Sequence, residues 1–374
     1  MKLATIIMAG GTGDRLWPLV CHTTPKVCLS IDGSTSLLGM TLDRLKPFAA
    51  QGPVWIVTSA QQRSAVVRAV PIRHRVQIIA EPEPRNTAAC IALAAAGIAE
   101  RDPKMVMVLL PADHWIPDVS IFQRSVQAAI SMASEQPIVA TIGLKPTPNG
   151  APPSVGAAGR SSRGGFADSQ LGLGHLCAGR SLGSRHGRRV FALRRFVEKP
   201  SAAVAKRLLR QRGMYWNAGM FIAQAGVLVD LIRRHLPIHA RWVLPLGSHI
   251  GKADFARAAQ RAYRHVPNIS FDDGIMAKAR RACIVDGGFR WEDLGSWESW
   301  SRLSAAQRHA QLQVGTQNVR IVSSNGHLVA AVGVQDLIIV QTPRATLICH
   351  AGHSQAVRSV VSALRTTKTL RAFQ

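Results

Sequence analysis

The strongest constraint on the fold is that short apolar segments alternate with helical segments over roughly the first 145 residues. The helical segments are residues 87–100 and 122–133. Alternation of this kind is typical of mostly parallel sheets. The sequence therefore predicts an α/β fold, Rossmann-like, with a mostly parallel sheet flanked by helices. The predicted strands, rich in aliphatic and β-branched residues, are 3–9, 54–58, 76–80, 105–110 and 137–143.

The end of the chain has a different pattern, with short strands and few helical segments. Residues 319–334 are predicted as strand, Asn-Gly turn and strand, and residues 337–341 and 345–349 as two further strands. A helical tail is predicted near residues 354–364. We therefore expect two domains: an α/β domain over residues 1–300, and a small C-terminal all-β module with a helical tail over residues 315–374.

Composition excludes several classes of protein. Hydrophobic residues make up 47% of the 374 residues, enough for a sizeable core. No apolar run reaches the roughly 18 residues that a membrane span requires. The apolar N-terminus runs into Gly10 and Gly11 rather than a cleavage site, so it predicts a buried first strand. The six cysteines form no C-x-x-C pair. We expect a cytoplasmic protein with no membrane partner.

The formal net charge of +25 is unusual and unevenly distributed. Such a charge would suit nucleic acid or another polyanion. Nearly half of it lies between residues 145 and 212, and no recognised nucleic-acid motif accompanies it, so nucleic acid is not the expected partner. Within this region, residues 149–189 form an anomalous Gly/Arg-rich segment without sustained periodicity. Order is predicted to return near Val190.

A glycine-rich loop follows the first predicted strand. Gly10, Gly11 and Gly13 would let backbone N–H groups approach phosphate oxygens, and Arg15 and Lys26 would add positive charge. The string matches neither the P-loop pattern nor the dinucleotide-binding fingerprint. It predicts a phosphate-binding loop of another type.

The string G-G-x-G-x-R-L-x-P with P-K resembles the signature of sugar-nucleotide pyrophosphorylases. Further motifs are similar to the mannose-1-phosphate guanylyltransferase branch of that family, in the family's order. This resemblance implies a nucleotidyltransferase fold over residues 1–300. The motifs are E-P-x-x-R-N-T-A at 81–88, L-P-A-D-H at 110–114, F-V-E-K-P at 196–200, W-N-A-G-M-F at 216–221, S-F-D-D-G-I-M at 270–276 and W-E-D-L-G-S-W at 291–297.

The resemblance implies a transfer in which a sugar phosphate attacks the α-phosphorus of a nucleoside triphosphate. Such chemistry needs positioning, cations and a divalent metal. Asp113 follows a buried predicted strand and Asp293 lies in a Trp/Gly-rich turn. Two carboxylates from separate segments suit Mg²⁺, and the resemblance implies that these two hold it. Asp113 taken alone would equally fit a turn or helix-cap aspartate. Arg15 and Lys26 are the implied catalytic cations.

The resemblance also assigns binding roles. Gly10, Gly11, Gly13, Glu81, Arg85 and Asn86 would bind the nucleotide. A carboxylate could accept from the N1–H and amino group of guanine, but the sequence does not identify Glu81 as that acceptor. On the sugar side, Lys199 would hold the sugar phosphate, and Glu198 and Asn217 would contact sugar hydroxyls.

The implied function is transfer of GMP from GTP to α-D-mannose 1-phosphate, giving GDP-mannose and pyrophosphate, with Mg²⁺ as cofactor. GTP and mannose 1-phosphate are the implied partners, and the β module could form a homodimer contact. The product would feed polysaccharide or glycan synthesis. Longer family members add a phosphomannose isomerase domain, to which no segment here corresponds, so isomerase activity is not expected.

One family element is missing where it is expected. After Thr147 the family has P-E-T-G-Y-G-Y-I, whereas residues 148–156 read P-N-G-A-P-P-S-V-G. A local frame change and a diverged surface loop both explain this. Three other functions stay open: a catalytically impaired relative acting as a binding or regulatory subunit, a pyrophosphorylase with another nucleotide or sugar, and nucleic-acid binding, which steep salt-dependent binding to arbitrary DNA would support.

Overall fold

A nine-stranded sheet forms the centre of the molecule in a computed structural model, which describes residues 2–21, 23–146, 173–304, 310–323 and 327–373. Its strand order is β3-β2-β1-β4-β9-β6-β10-β8-β7. The strands are β1 Leu3–Met8, β2 Val54–Ser59, β3 Gln77–Glu81, β4 Val106–Pro111, β6 Val139–Leu144, β7 His175–Arg185, β8 Arg188–Val197, β9 Met214–Gln224 and β10 Ala282–Asp286, and β5 is the separate two-residue strand His114–Trp115.

The pairing in this sheet confirms the predicted α/β fold. Strands β3, β2, β1 and β4 are mutually parallel, as are β6 and β10. Strand β9 runs antiparallel between β4 and β6, and β8 and β7 extend the sheet in antiparallel fashion. The helices are α1 Leu37–Arg44, α2 Lys46–Ala49, α3 Arg63–Ala69, α4 Asn86–Ala99, α5 Val119–Glu135, α6 Ala202–Leu209, α7 Ala225–His235, α8 Pro237–Trp242, α9 Phe255–Tyr263, α10 Trp297–Ser304 and α11 Val357–Thr366.

The core lies on both faces of the sheet. Leu3 and Ile7 of β1 belong to one apolar cluster, whereas Ala4 and Ile6 belong to the cluster on the other face. This explains why β1 reads as a continuous apolar run, since both faces are covered. Helix α4 is buried over nearly its whole length, which its alanine-rich sequence permits. No helix in the described ranges is both long and apolar enough to cross a bilayer.

The Gly/Arg-rich segment is shorter than predicted. The expectation that order returns only near Val190 is wrong, because β7 starts at His175 and pairs with both β8 and β9. The register places His175 opposite Trp216, so long-range pairing orders a segment whose local periodicity is weak. Residues 149–172 lie outside the described residues, and the frame-change hypothesis for them stays a prediction.

The C-terminal strands also correct a prediction. Strands β13 Arg320–Ser323 and β14 Val329–Val332 do not form the predicted hairpin. Strand β13 pairs in parallel with β15 Leu337–Gln341, and β14 pairs in parallel with β12 Gln311–Val314. Both pairings join residues 18 positions apart, as in Gln311 with Val329. Successive coils of a β-helix stack in this way, and each strand hydrogen-bonds to the strand one coil away rather than to the next strand in the sequence.

The two regions contact each other. Strand β16 Thr346–His350 pairs antiparallel with β15 and leads through a 3₁₀ turn, Ala351–Ala356, to helix α11. The apolar side of α11 packs in one cluster with Leu16 and Trp17 from the loop after β1. The boundaries predicted for the two domains, 1–300 and 315–374, stay a prediction.

Candidate functional site

Three parallel strands end at the same edge of the sheet and bring distant residues together there. Strand β1 leads to Gly10, β3 ends at Glu81, and Asp113 lies two residues beyond the end of β4. This edge is where α/β folds bind ligands. Seven of the predicted site residues line one cavity with Met8, Val27, Pro84, Thr87, Cys90 and Pro111; they are Gly10, Gly11, Lys26, Glu81, Arg85, Asn86 and Asp113.

Lys26 lies between the two carboxylates that the resemblance assigns to the metal. Its Nζ donates to Oδ2 of Asp113 at 2.7 Å and to Oδ1 of Asp293 at 3.2 Å. A two-strand ladder fixes this arrangement, because β11 Glu292–Asp293 pairs with β5 and sets Asp293 opposite His114. The structure thus brings Lys26 into contact with one residue 87 positions later in the sequence and with another 267 positions later.

The charges in this triad stabilise one another. Burial acts to lower the pKa of Lys26, but the charges of Asp113 and Asp293 outweigh it and raise the pKa above its usual value. Burial acts to raise the pKa of Asp113, yet Lys26 brings it down to about 2. Lys26 is therefore an ammonium and Asp113 a carboxylate at neutral pH. His114, packed edge-on against Trp291, supports this region without joining the triad.

Asp113 and Asp293 offer a suitable site for a divalent cation. Hard cations prefer carboxylate oxygens, and catalytic Mg²⁺ is commonly held by one or two carboxylates, with substrate phosphates completing its coordination. Both carboxylates already approach one positive group, the Lys26 ammonium. In the described part of the chain no cluster of three or more His, Cys, Asp or Glu residues could hold a metal alone. The donor set fits an ion that arrives with the phosphates.

The signature loop, residues 10–20, depends on one glycine for its shape. Gly13 has φ of +66°, and a Cβ there would lie 2.9 Å from Cβ of Lys26. Only glycine allows the loop backbone to pass this close to Cβ of Lys26. Arg15 is half-buried near Asp293. A Cβ added at Gly295 would lie 3.5 Å from the Arg15 guanidinium and 3.4 Å from the Asp293 carboxylate. Burial and the charge of Arg358 lower the pKa of Arg15, while Asp293 acts to raise it.

Glu81 is a buried carboxyl group on the wall of the cavity. It is 3% exposed, and its Oε1 accepts a hydrogen bond of 2.9 Å from the hydroxyl of Tyr263. Burial raises its pKa to about 8, against the smaller opposite effect of the Tyr263 hydrogen bond. A carboxyl group that faces a ligand cavity, and that no cation of the described chain pairs with, is suited to receive donors from the ligand.

Arg85 and Asn86 form the start of α4 at the cavity. Arg85 donates to Oε1 of Glu83 at 2.6 Å. Asn86 has φ of +64°, and its Oδ1 accepts from the backbone N–H of Thr87. Arg85 occupies the cap position of α4, and its side chain makes no capping hydrogen bond. The hydroxyl of Thr87 instead accepts from the backbone N–H of Phe271, a tertiary contact.

The three predicted sugar-side residues form a second cluster. Lys199 donates to Oε1 of Glu198 at 2.6 Å. Asn217 is 7% exposed; its Oδ1 accepts from Thr141 Oγ1 and its Nδ2 donates to Asp272 Oδ1 at 2.7 Å. The cluster adjoins the cavity near Gly219, where an added Cβ would lie 3.8 Å from Pro111, one of the residues that line the cavity.

Sequence reasoning gave no role to Asp272 or Gly174. Burial first, and then the charge of Glu198, raises the pKa of Asp272 to about 7. The carbonyl of Gly174 accepts from the backbone N–H of Asn217 at 2.9 Å. Residues 172–176 read G-L-G-H-L, which has the spacing of the family's G-Y-G-Y-I. This spacing was the sequence signal for the missing family element. It occurs about 20 residues later than expected, and Leu173 and His175 stand at the positions of the two tyrosines.

Replacing Gly174 with alanine should damage the sugar side selectively. The new Cβ would lie 2.6 Å from Oε2 of Glu198 and 3.2 Å from Cβ of Asn217, so Glu198 must move. We expect KM for the sugar phosphate to rise about tenfold, with KM for the nucleotide nearly unchanged. Steady-state kinetics measures this. Gly179→Ala on the same strand is the control, and an unchanged KM for the sugar phosphate in Gly174→Ala would contradict the assignment.

Comparison with known proteins points to one enzyme family. The Nucleotidyl transferase family model matches residues 4–162, and the MannoseP isomerase/GMP-like beta-helix domain model matches residues 310–364. Mannose-1-phosphate guanylyltransferase from Salmonella muenchen is 31% identical over 376 residues, which cover 97% of this chain and 74% of that protein. This chain belongs to the mannose-1-phosphate guanylyltransferase family. It is therefore a nucleotidyltransferase of the GDP-mannose pyrophosphorylase type, and enzymes of this family use divalent metal ions.

Two further relatives of this guanylyltransferase-family chain extend the comparison. Xanthan biosynthesis protein XanB from Xanthomonas campestris pv. campestris (strain B100) is 32% identical, over 96% of this chain and 73% of that protein. The crystal structure of a mannose-1-phosphate geranyltransferase from Thermus thermophilus superposes with a TM-score of 0.76 at 28% identity. It covers 98% of this chain and 100% of that one. The resemblance drawn from the motifs is confirmed.

Proposed function

We propose that this chain transfers the guanylyl group of GTP to α-D-mannose 1-phosphate and releases pyrophosphate. The observation that carries the proposal is the Lys26–Asp113–Asp293 triad, which lies at the carboxyl edge of the sheet next to the cavity that contains Glu81. Phosphoryl-type transfers rely on positioning and electrostatic stabilisation rather than on covalent chemistry by the protein. The triad and Arg15 supply fixed charge at one place.

The phosphates would lie between the signature loop and the triad. Asp113 and Asp293 would hold Mg²⁺, which when bound neutralises charge on the phosphate oxygens. Lys26 would then turn from the carboxylates toward the α-phosphate and stabilise the charge that grows there during attack. Backbone N–H groups at Gly10 and Gly11 would contact the phosphates. Because these groups are held before the substrate arrives, little reorganisation is needed during the transfer.

Glu81 would select guanine. A guanine base presents two adjacent donors, N1–H and the amino group, and a carboxylate can accept from both. Glu81 is buried at the cavity wall, with Oε1 held by Tyr263 and Oε2 near Gly10. Adenine presents a donor next to an acceptor and would leave one carboxylate oxygen without a partner. The ionised form of Glu81 would then keep one buried oxygen unpaired, which disfavours that base.

The Glu198, Lys199 and Asn217 cluster would bind the sugar phosphate. The Lys199 ammonium, which pairs with Glu198 in the free protein, would pair with the phosphate, and its side chain is 61% exposed. Glu198 and Asn217 would hydrogen-bond to sugar hydroxyls. Asp272 and Thr141 hold the Asn217 amide in one orientation, which supports a defined pattern of donors and acceptors.

The product would enter polysaccharide synthesis. The relative from Xanthomonas campestris pv. campestris is a xanthan biosynthesis protein. An impaired relative acting as a regulatory subunit remains the second candidate, since leucine and histidine stand where the family has tyrosines. A homodimer through the β module also stays a prediction.

Pyrophosphate release from substrate pairs tests the proposed function. Purified protein with Mg²⁺ is assayed with GTP, ATP, UTP and dTTP, each crossed with mannose 1-phosphate and glucose 1-phosphate. We expect kcat/KM for GTP with mannose 1-phosphate to exceed that of every other pair by about 100-fold. Preference for another pair would change the substrate assignment. Folded protein that binds GTP but releases no pyrophosphate from any pair would favour the regulatory subunit.

A further inference from the structure

The C-terminal helix α11 lies directly on the signature loop. Val357, Val361 and Leu364 of this helix pack in one apolar cluster with Leu16 and Trp17. Residues from the two ends of the chain thus share one small core beside the phosphate-binding glycines. Because buried apolar contacts resist displacement, α11 forms a stable wall next to the loop.

Polar contacts fix the position of α11 along the loop. Arg365 donates to both carboxylate oxygens of Asp14, at 3.0 and 3.1 Å. The indole N–H of Trp17 donates to the carbonyl of Phe373 at 2.7 Å, and the indole N–H of Trp297 donates to the carbonyl of Trp17 at 2.9 Å. Because Asp14 immediately precedes Arg15, the contact between Arg365 and Asp14 also fixes the position of α11 relative to Arg15.

Arg358 lies two helical turns before Arg365 and therefore on the same side of α11. It is exposed, and within the described ranges neither Arg358 nor Arg15 forms an ion pair or hydrogen bond through its side chain. The positive charge of Arg358 nevertheless acts on the Arg15 guanidinium, and the opposite effect of the Asp293 carboxylate is smaller. A cation in the first turn of a helix is also unfavourable with respect to the helix dipole. The fold thus holds these two arginines near each other, with no salt bridge to either in the described chain.

A bound anion would resolve this repulsion. Guanidinium groups bind phosphate oxygens in a bidentate manner, and two of them suit a multiply charged diphosphate. Lys26, which pairs with Asp113 and Asp293 in the free protein, is assigned to the α-phosphate, so the β- and γ-phosphates of the nucleotide have no assigned side chain. We propose that Arg358 of the C-terminal helix binds, together with Arg15, the β- and γ-phosphates that leave as pyrophosphate.

This inference rests on the proposed function, because it assigns a further binding residue to the same site. It makes the C-terminal region part of the phosphate-binding site rather than only an attached module. Chemically, the bond that breaks lies between the α-phosphorus and the bridging oxygen to the β-phosphate. The electron pair goes to that oxygen, and Arg358 and Arg15 would stabilise the charge on the departing pyrophosphate.

The test compares Arg358→Gln with Arg358→Lys by isothermal titration of inorganic pyrophosphate, GTP and GMP, all with Mg²⁺. We expect Arg358→Gln to weaken pyrophosphate and GTP binding about tenfold and to leave GMP binding unchanged. Arg358→Lys should lose less. KM for mannose 1-phosphate should not change. Arg257→Gln, which removes an exposed arginine on α9, is the matched control for net charge.

Three outcomes would overturn the inference. The first is that the wild-type protein does not bind pyrophosphate. The second is that Arg358→Gln binds pyrophosphate as tightly as the wild type does. The third is that Arg257→Gln loses as much affinity for pyrophosphate as Arg358→Gln does. Unchanged thermal unfolding of Arg358→Gln would show that the variant is folded. Failure of the proposed function has a different signature, because wild-type protein would then bind pyrophosphate but show no preference for GTP with mannose 1-phosphate in the substrate-pair assay.

Discussion

Lys26→Met should lower kcat/KM for nucleotidyl transfer by about 10²- to 10³-fold, the loss typical when one fixed electrostatic group is removed. Lys26 is 5% exposed and its ammonium is the shared partner of Asp113 and Asp293, so its charge is held in one place before the substrate binds. Steady-state pyrophosphate release measures the effect. A loss smaller than tenfold would contradict the role given to Lys26.

The same variant should bind a divalent cation more tightly in the absence of nucleotide. In the wild-type protein the Lys26 ammonium lies between the carboxylates and repels an incoming ion. Methionine removes that charge and leaves two carboxylates facing each other. Titration with Mn²⁺, followed by the loss of its free-ion electron paramagnetic resonance signal, measures the affinity. Lys46→Met, which removes an exposed lysine paired with Asp43, is the matched control and should change neither activity nor affinity.

Glu81→Gln should remove most of the preference for GTP, with an expected fall of about 10²- to 10³-fold in kcat/KM for GTP. Glutamine offers one acceptor and one donor, so its amide N–H₂ would face a donor of guanine. The amide of glutamine pairs with the donor and acceptor of adenine better than the carboxylate of Glu81 does. The ratio of kcat/KM for GTP to that for ATP is therefore the informative measurement. A ratio equal to that of the wild type would exclude Glu81 as the base-reading residue.

The pH dependence provides a second measure of Glu81. Burial raises its pKa to about 8, so at neutral pH the free protein carries a proton that guanine binding must displace. We expect kcat/KM for GTP to rise with pH up to about 8, and this rise should be absent in Glu81→Gln. Tyr263→Phe removes the hydrogen bond that favours the carboxylate, which should move the rise to higher pH.

The raised pKa also has a consequence for stability. The folded protein holds the Glu81 proton more tightly than the unfolded chain, in which the pKa is about 4.3. The contribution of Glu81 to the free energy of unfolding is therefore fully present below about pH 4 and decreases as the pH rises toward 8. Comparison of denaturant unfolding of wild type and Glu81→Gln across this range measures the contribution.

Much of the α/β fold could be predicted because its signals are local. Strands β1, β2 and β4 are mostly apolar runs that are buried along almost their whole length, so both of their faces are covered in the sheet. The edge where Gly10, Glu81 and Asp113 meet follows from the rule that parallel strands end together. The glycine loop and the carboxylates could be recognised as residue types suited to phosphate and metal.

Two features could not be predicted because their partners are distant in the sequence. Strand β7 is ordered by pairing with β9, and its register places His175 opposite Trp216. The pairs of the β-helix join residues 18 positions apart, whereas the Asn325-Gly326 dipeptide predicts a hairpin between adjacent strands. Local pattern does not specify which of two partners a strand prefers, because that choice depends on which apolar faces remain to be buried.

The sequence by itself determined the class of chemistry, since glycines, cations and carboxylates occur in an order that resembles one enzyme family. Only the tertiary structure decided which charges meet. Lys26 contacts Asp113 and Asp293 because the β5–β11 ladder joins two loops, and Arg358 lies near Arg15 because α11 packs on Leu16 and Trp17. Charge–charge interactions depend on distance and burial, and both are set by long-range packing rather than by neighbours along the chain.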